Sequence, residues 1–150
     1  MEISHLPPAA TPDSWSPALR QEYAAAASNG RVGQRLVSET ERVRVWSIAL
    51  KPGERLGFHK HVLDYFWTAV TPGRGRSHNQ TGAMSERDYQ AGDTKHLSFG
   101  SGEFMIHDLE NIGSTDLLFT TVEFLDSRNR PLPIDEAVEL ECTTANLGSQ

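Results

Sequence analysis

Two histidines one residue apart, His59-Lys60-His61, are the first side chains in this chain whose types and spacing could do chemistry. On an extended segment side chains alternate with a period of two, so both imidazoles stand on one face and Lys60 points the other way. Two imidazoles so placed can share one metal ion at ~2.0–2.1 Å each. The same residues also suit an ordinary polar loop after the Pro52-Gly53 turn, and His-x-His alone does not choose between the two readings. The segment from Pro52 to Phe66 is the stretch the other elements must position.

Those elements read as one short helix followed by strands. Met1 to Asp13 contains Pro7, Pro8 and Pro12 and is expected to be extended, along a surface or toward a partner subunit. Ser16-Pro17 supplies an N-cap hydroxyl and a first-turn proline, Ala18 to Ser28 favours helix, and Asn29-Gly30 ends it. Its small apolar face suits packing across a barrel end or a dimer interface. Strands are expected at Arg31 to Ser38, Arg42 to Leu50, Leu56 to His61, Tyr65 to Val70, Ser77 to Thr81 and Met84 to Tyr89. Three more follow at Thr94 to Phe99, Phe104 to Leu109 and Leu117 to Leu125. Alternation slips near Val45-Trp46, which predicts a bulge or burial on both faces. Thr71 to Gly75 reads as a turn, with Arg74 and Arg76 solvated. Short strands at regular spacing predict an all-β sandwich or barrel. The organisation expected is an arm and helix over 1–30, a barrel over 31–130, and a tail over 131–150 that forms a helical turn or covers an edge.

Bulk properties narrow the partners. At 150 residues the chain suffices for one core. A net charge of −6 argues against nucleic acid and against an anionic membrane surface, both of which need clustered Lys and Arg. The single cysteine, Cys142, cannot form an intramolecular disulfide. No signal-peptide pattern or apolar stretch of membrane-spanning length appears, so a cytoplasmic protein is the expectation. Nucleophile elbows, phosphate loops and dinucleotide fingerprints are also missing; Gly73-x-Gly75 lacks the third glycine and a following helix.

A second group, Gly102 … His107-x3-Asn111, follows the first, Gly53-x5-His59-x-His61. Together they resemble the two-part motif of the cupin superfamily, across roughly Val43 to Leu125. The resemblance implies an RmlC-like antiparallel jelly-roll barrel. It also implies a metal inside the barrel, held by two histidines and an acid of the first motif and a histidine of the second. By position these are His59, His61 and His107. The run His-x-His-x-x-Asp-Tyr is similar to one in a bacterial cupin family associated with β-alanine degradation. Where the superfamily has its glutamate, this chain has Tyr65 and Phe66, with Asp64 one residue early. Three arrangements stay open: Asp64 ligates, Tyr65 points at the site, or three histidines act alone with waters completing the shell. The last is the expectation, since a phenol with a pKa of ~10 is a poor ligand unless the metal deprotonates it. The second motif lacks its usual proline and has a longer gap before its histidine.

The resemblance implies one divalent transition metal, and imidazole suits Fe, Zn, Ni and Mn without choosing among them. Oxygen-dependent cleavage of a small carboxylate or carbonyl metabolite, dioxygenase-like, is the chemistry it suggests first, ahead of isomerase or lyase action. A non-catalytic ligand-binding or sensing barrel is the alternative, and a metal site kept only for stability a third. A homodimer is expected on the same basis. Among other residues, Glu123 faces opposite to Val122 and Phe124; solvent is its expected side, and a lumen position would make it a candidate general base, beside Tyr65. His96 and His78 are expected at the surface, and Asn111 is expected to shape the turn before Gly113. Trp46, Phe58, Trp67 and Phe104 are expected in the core, with Trp67 also able to wall a pocket.

Overall fold

The structure is a computed structural model and describes residues 14–134. The expectations for Met1 to Asp13, for Cys142 and for the tail past Ile134 lie outside the described residues. Helix α1 (Pro17–Ala25) runs into a short 3-10 turn at Ala26–Ser28. Among the described residues nine strands follow: β1 (Arg35–Glu39), β2 (Val43–Leu50), β3 (Arg55–His61), β4 (Tyr65–Ala69) and β5 (Gly73–His78). The rest are β6 (Met84–Tyr89), β7 (Thr94–Leu97), β8 (Met105–Asn111) and β9 (Leu117–Phe124). They form two antiparallel sheets, β1-β2-β9-β4-β7 and β3-β8-β5-β6, the layered all-β jelly roll that the cupin resemblance implies.

Register follows from burial. Strands β2 and β9 pair without interruption from Val43–Phe124 to Leu50–Leu117. Trp46, Ile48 and Leu50 turn inward opposite Thr121, Phe119 and Leu117, all of them buried. Each large apolar side chain so buried contributes roughly 1.5–3 kcal/mol, and a one-residue slip would turn the whole set to water. The irregularity expected near Val45-Trp46 lies instead in β1, where the register shifts between Leu36 and Ser38, opposite Trp46 and Val45.

The helix begins as its sequence dictates. Pro17 takes the first position, and the Leu19 N–H donates to Ser16 Oγ at 3.1 Å. Its apolar residues pack on the face of β3 and β8 turned away from the barrel interior, where Tyr23, Ala26, Phe58 and Ile106 form one cluster. The expected turn at Thr71 to Gly75 is corrected, because β5 already starts at Gly73. Arg74 and Arg76 are strand residues there, paired across the hairpin with Asp88 at 2.9 Å and Glu86 at 3.0 Å. Cross-strand charge pairs of this kind let a glycine-rich, polar segment hold strand conformation.

Candidate metal centre

Strands β3 and β8 bring the histidines together, with His59 directly opposite His107 and His61 opposite Met105. Between Leu56–Leu109 and His59–His107 the register shifts: three residues on β3 match two on β8. This bulge lets both Leu56 and His59 face the interior, although an odd spacing would put them on opposite faces of a regular strand. The extra residue falls at Gly57-Phe58. Phe58 turns to the helix, and the Gly57 carbonyl accepts the Nδ1–H of His59 at 2.8 Å. A Cβ on Gly57 would stand 3.2 Å from the Glu22 carboxylate, so the helix side of the bulge is filled.

One ligand nitrogen from each of His59, His61 and His107 lies within 4.8 Å of the others. The ring centroids are 5.0, 4.7 and 4.9 Å apart. The Nε2 atoms of His61 and His107 are 3.1 Å apart, the separation two nitrogens take when they bind one ion at ~2.1 Å roughly at right angles. His59, with Nδ1–H spent on a carbonyl, keeps Nε2 bare as an acceptor; a carbonyl partner fixes the tautomer in this way at metal-bound histidines. His61 Nδ1 is buried with no hydrogen-bond partner among the described groups. Burial pulls the pKa of His59 down to about 4. The same cause, with neighbouring imidazoles second, holds His61 and His107 well below the ordinary value. All three are therefore neutral at pH 7, the form that offers a lone pair to a cation. On these observations the residues present fit a divalent transition ion.

The other sequence candidates separate. Tyr65 stacks face to face on the His61 ring at 4.0 Å, with Phe99 behind it, and burial, then the Glu123 charge, pushes its phenol above the ordinary range. Asp64 is not gathered with the histidines. Its Oδ1 accepts the Phe99 N–H at 2.9 Å, its own N–H donates to Ser127 Oγ, and its carbonyl accepts the Phe124 N–H, so it ties off the β3–β4 turn. For Glu123 the expected solvent side is corrected: the residue is 3% exposed and turned inward with Phe119 and Thr121. Its Oε1 accepts the Trp46 Nε1–H at 2.7 Å, and burial raises its pKa to about 7 against that bond and the Arg44 charge.

His96 is exposed against Phe66, as expected. His78 is part-buried rather than fully exposed: its Nδ1 faces Asp108 at 3.1 Å and Trp15 stands edge-on to its ring. Asn111 shapes its turn as expected, accepting the Gly113 N–H and donating to the carbonyls of Leu50 and Thr115. Trp46 and Phe58 are buried in the core, whereas Trp67 walls a cavity.

That cavity, about 250 Å³ between the two sheets, is lined by the three histidines with Tyr65, Trp67 and Phe119 among others. Sequence reasoning missed the ion-pair chain behind it. Asp108, 1% exposed, accepts from Arg55 Nε at 2.9 Å and from the His78 N–H. Arg55 in turn donates two bonds to Glu22, whose carboxylate also accepts the Phe58 N–H. The only signal was strand alternation, which puts Asp108 on the face opposite His107.

No family model and no curated protein sequence matches the chain. Solved structures do. A cupin domain from Bordetella pertussis Tohama I is 22% identical with a TM-score of 0.52, over 59% of this chain and 88% of that one. An RmlC-like cupin family protein with a double-stranded β-helix fold from Methanocaldococcus jannaschii is 20% identical, TM-score 0.49, over 60% and 76%. A double-stranded β-helix domain protein from Klebsiella pneumoniae is 25% identical, TM-score 0.47, over 58% and 70%. The fold of this chain is the cupin fold, on the likeness to the Bordetella domain. Within that fold it carries a buried three-histidine group able to hold a metal.

Proposed function

We propose that this protein binds one divalent transition metal through His59, His61 and His107 and uses it on a small carboxylate- or carbonyl-bearing metabolite. The observation that carries the reading is the convergence of three neutral imidazoles, two buried and one part-buried, on one wall of a cavity of metabolite size. A divalent ion on three neutral ligands keeps its full charge and open positions; it would polarise a carbonyl, acidify a water or, as Fe(II), support oxygen-dependent cleavage. The chain's own residues set the surroundings. Gly57 O holds the His59 tautomer, and Tyr65 buttresses the His61 ring while its protonated phenol lines the cavity as a hydrogen-bond donor. Glu123, the register partner of Tyr65, lies outside the cavity lining and acts in this reading through the charge it sets beside that phenol. Asp64 stays with its backbone partners, leaving a three-histidine set. The reading includes a dioxygenase-type activity and a homodimer as its finer parts.

The test is elemental analysis of untagged protein purified without chelator, beside a His59→Ala/His107→Ala variant. Near-stoichiometric iron, manganese, nickel or zinc in the wild type and none in the variant is the expected result. Equally low metal in both, after reconstitution and at unchanged stability, sinks the proposal. Oxygen uptake with Fe(II) and a panel of small acids then separates turnover from simple binding.

A further inference from the structure

The wall of the cavity formed by the β5–β6 hairpin carries a second arrangement. On β5 Gly75 and Ser77 face inward, and opposite them on β6 stand Arg87 and Ser85. A Cβ on Gly75 would meet Leu109 at 3.0 Å and Tyr89 at 3.1 Å, so the bare α-carbon lets those two side chains pack against the β5 backbone. The Arg87 guanidinium lies 5.1 Å from the Trp67 ring centre and 5.4 Å from that of Tyr89. Lys95 is the register partner of Trp67 across β4 and β7 and lines the same cavity. Strands β6 and β7 are the edge strands of their sheets, and both cations are exposed, so they flank the opening.

The charges on the two faces of the hairpin differ in their partners. Outside, Arg74 pairs with Glu86 and Asp88, and Arg76 with Glu86 and Glu110. Inside, neither Arg87 nor Lys95 belongs to any ion pair among the described residues. Asp108, the acid that borders the cavity among the described residues, has its carboxylate on the face of β8 opposite His107, engaged there by Arg55 and His78. Two cations with no carboxylate of their own therefore look into a cavity whose nearest walls, Trp67, Tyr89 and Phe119, are aromatic and mutually edge-on. Cation–π contact with both rings restrains the Arg87 guanidinium and leaves its N–H donors for a planar anion.

We infer that Arg87 and Lys95 form a carboxylate-binding pair at the mouth of the cavity. They take the anionic end of a small organic acid whose apolar body lies along Trp67 and Phe119. This rests on the small-metabolite reading above and names the class of ligand and the residues that select it. Charge-assisted bonds to a carboxylate favour it over a neutral amide of the same shape by roughly 10- to 100-fold.

Benzoate and benzamide, nearly isosteric and differing in charge, are the probes, titrated by calorimetry into wild type, chelator-treated wild type, Arg87→Gln, Arg87→Lys and Lys95→Gln. Wild type should bind benzoate at least tenfold more tightly than benzamide, and added NaCl should weaken benzoate alone. Arg87→Gln should abolish the preference, Arg87→Lys should keep part of it, and Lys95→Gln should reduce it several-fold. Chelator-treated wild type should retain it. No measurable benzoate binding, equal affinity for both probes, or an unchanged preference in Arg87→Gln at wild-type circular dichroism would overturn the inference. Metal loading without a benzoate preference sinks this pair and leaves the metal reading; the reverse sinks the metal reading and leaves the pair.

Discussion

Glutamate 123 should make the protein less stable as pH rises through neutrality, and the size of the effect follows from where its carboxyl sits. Its pKa stands at about 7 in the fold against an ordinary 4.5, chiefly from burial. At about 1.4 kcal/mol per pH unit, ionising it inside the protein costs about 3 kcal/mol more than ionising it in the unfolded chain. Between these two values the folded state holds the extra proton, so unfolding free energy falls with rising pH and the full penalty is present above about pH 7. The groups facing the carboxyl are the Trp46 N–H and the Arg44 charge, which ease ionisation, and Glu39 and Tyr65, which do not. Glu123→Gln removes the charge and keeps an acceptor for Trp46, at the cost of burying a new amide donor, about 1–3 kcal/mol. The amide shifts the whole difference curve by a constant, and the slope reports the carboxyl alone. Variant minus wild type should climb by about 3 kcal/mol from pH 4.5 to pH 8 in urea unfolding of chelator-treated protein at fixed ionic strength. The buried histidines act in the opposite direction, their stabilisation being lost as pH falls below 6.5, and they cancel in the difference. A flat difference curve would refute the placement of Glu123 in a desolvated site.

Two further changes probe the scaffold. Asp108→Asn should lower the unfolding free energy by about 3 kcal/mol, because it leaves the Arg55 guanidinium half-buried beside a neutral amide; a loss under 1 kcal/mol in urea titration would mean the ion pair is not what holds β3 to β8. Ser16→Ala should cost about 1 kcal/mol through the lost bond to the Leu19 N–H, with Ser16→Asp restoring most of it in thermal melts.

What could be read in advance divides along the line between local and long-range physics. The capped helix start at Ser16-Pro17, the shared face of His59 and His61, and the Asn111 turn each depend on neighbours within a few residues, and each is found. Alternation told that Glu123 opposes Val122 and Phe124, but it fixes relative faces only. Which face is inside depended on Trp46 across β2, seventy-seven residues away in sequence, supplying the N–H that makes burial tolerable. The start of β5 was hidden for a similar reason: Gly73-Arg-Gly75 has turn composition, and only the acids of β6 make it a strand. The bulge in β3 had one weak local signal, Gly57 inside the expected strand Leu56 to His61, which alone does not show how the register shifts. Its stabilising partner, Glu22, lies on the helix.

That last connection says how the site is built. All three histidines come from β3 and β8, whereas the residues that surround them, Tyr65, Trp67 and Phe119, come from the other sheet. Barrel packing sets the distance between the two groups, but it cannot set the position of His59, which depends on the bulge. The bulge is fastened from outside: Glu22 accepts the Phe58 N–H and two bonds from Arg55, and Arg55 carries the link to Asp108 on the far side of the His107 backbone. One carboxylate on a nine-residue helix thus ties together both strands that carry the imidazoles, one on each side of their pairing. The helix, packed on the outer face of β3 and β8, thereby clamps the two strands that carry the histidines.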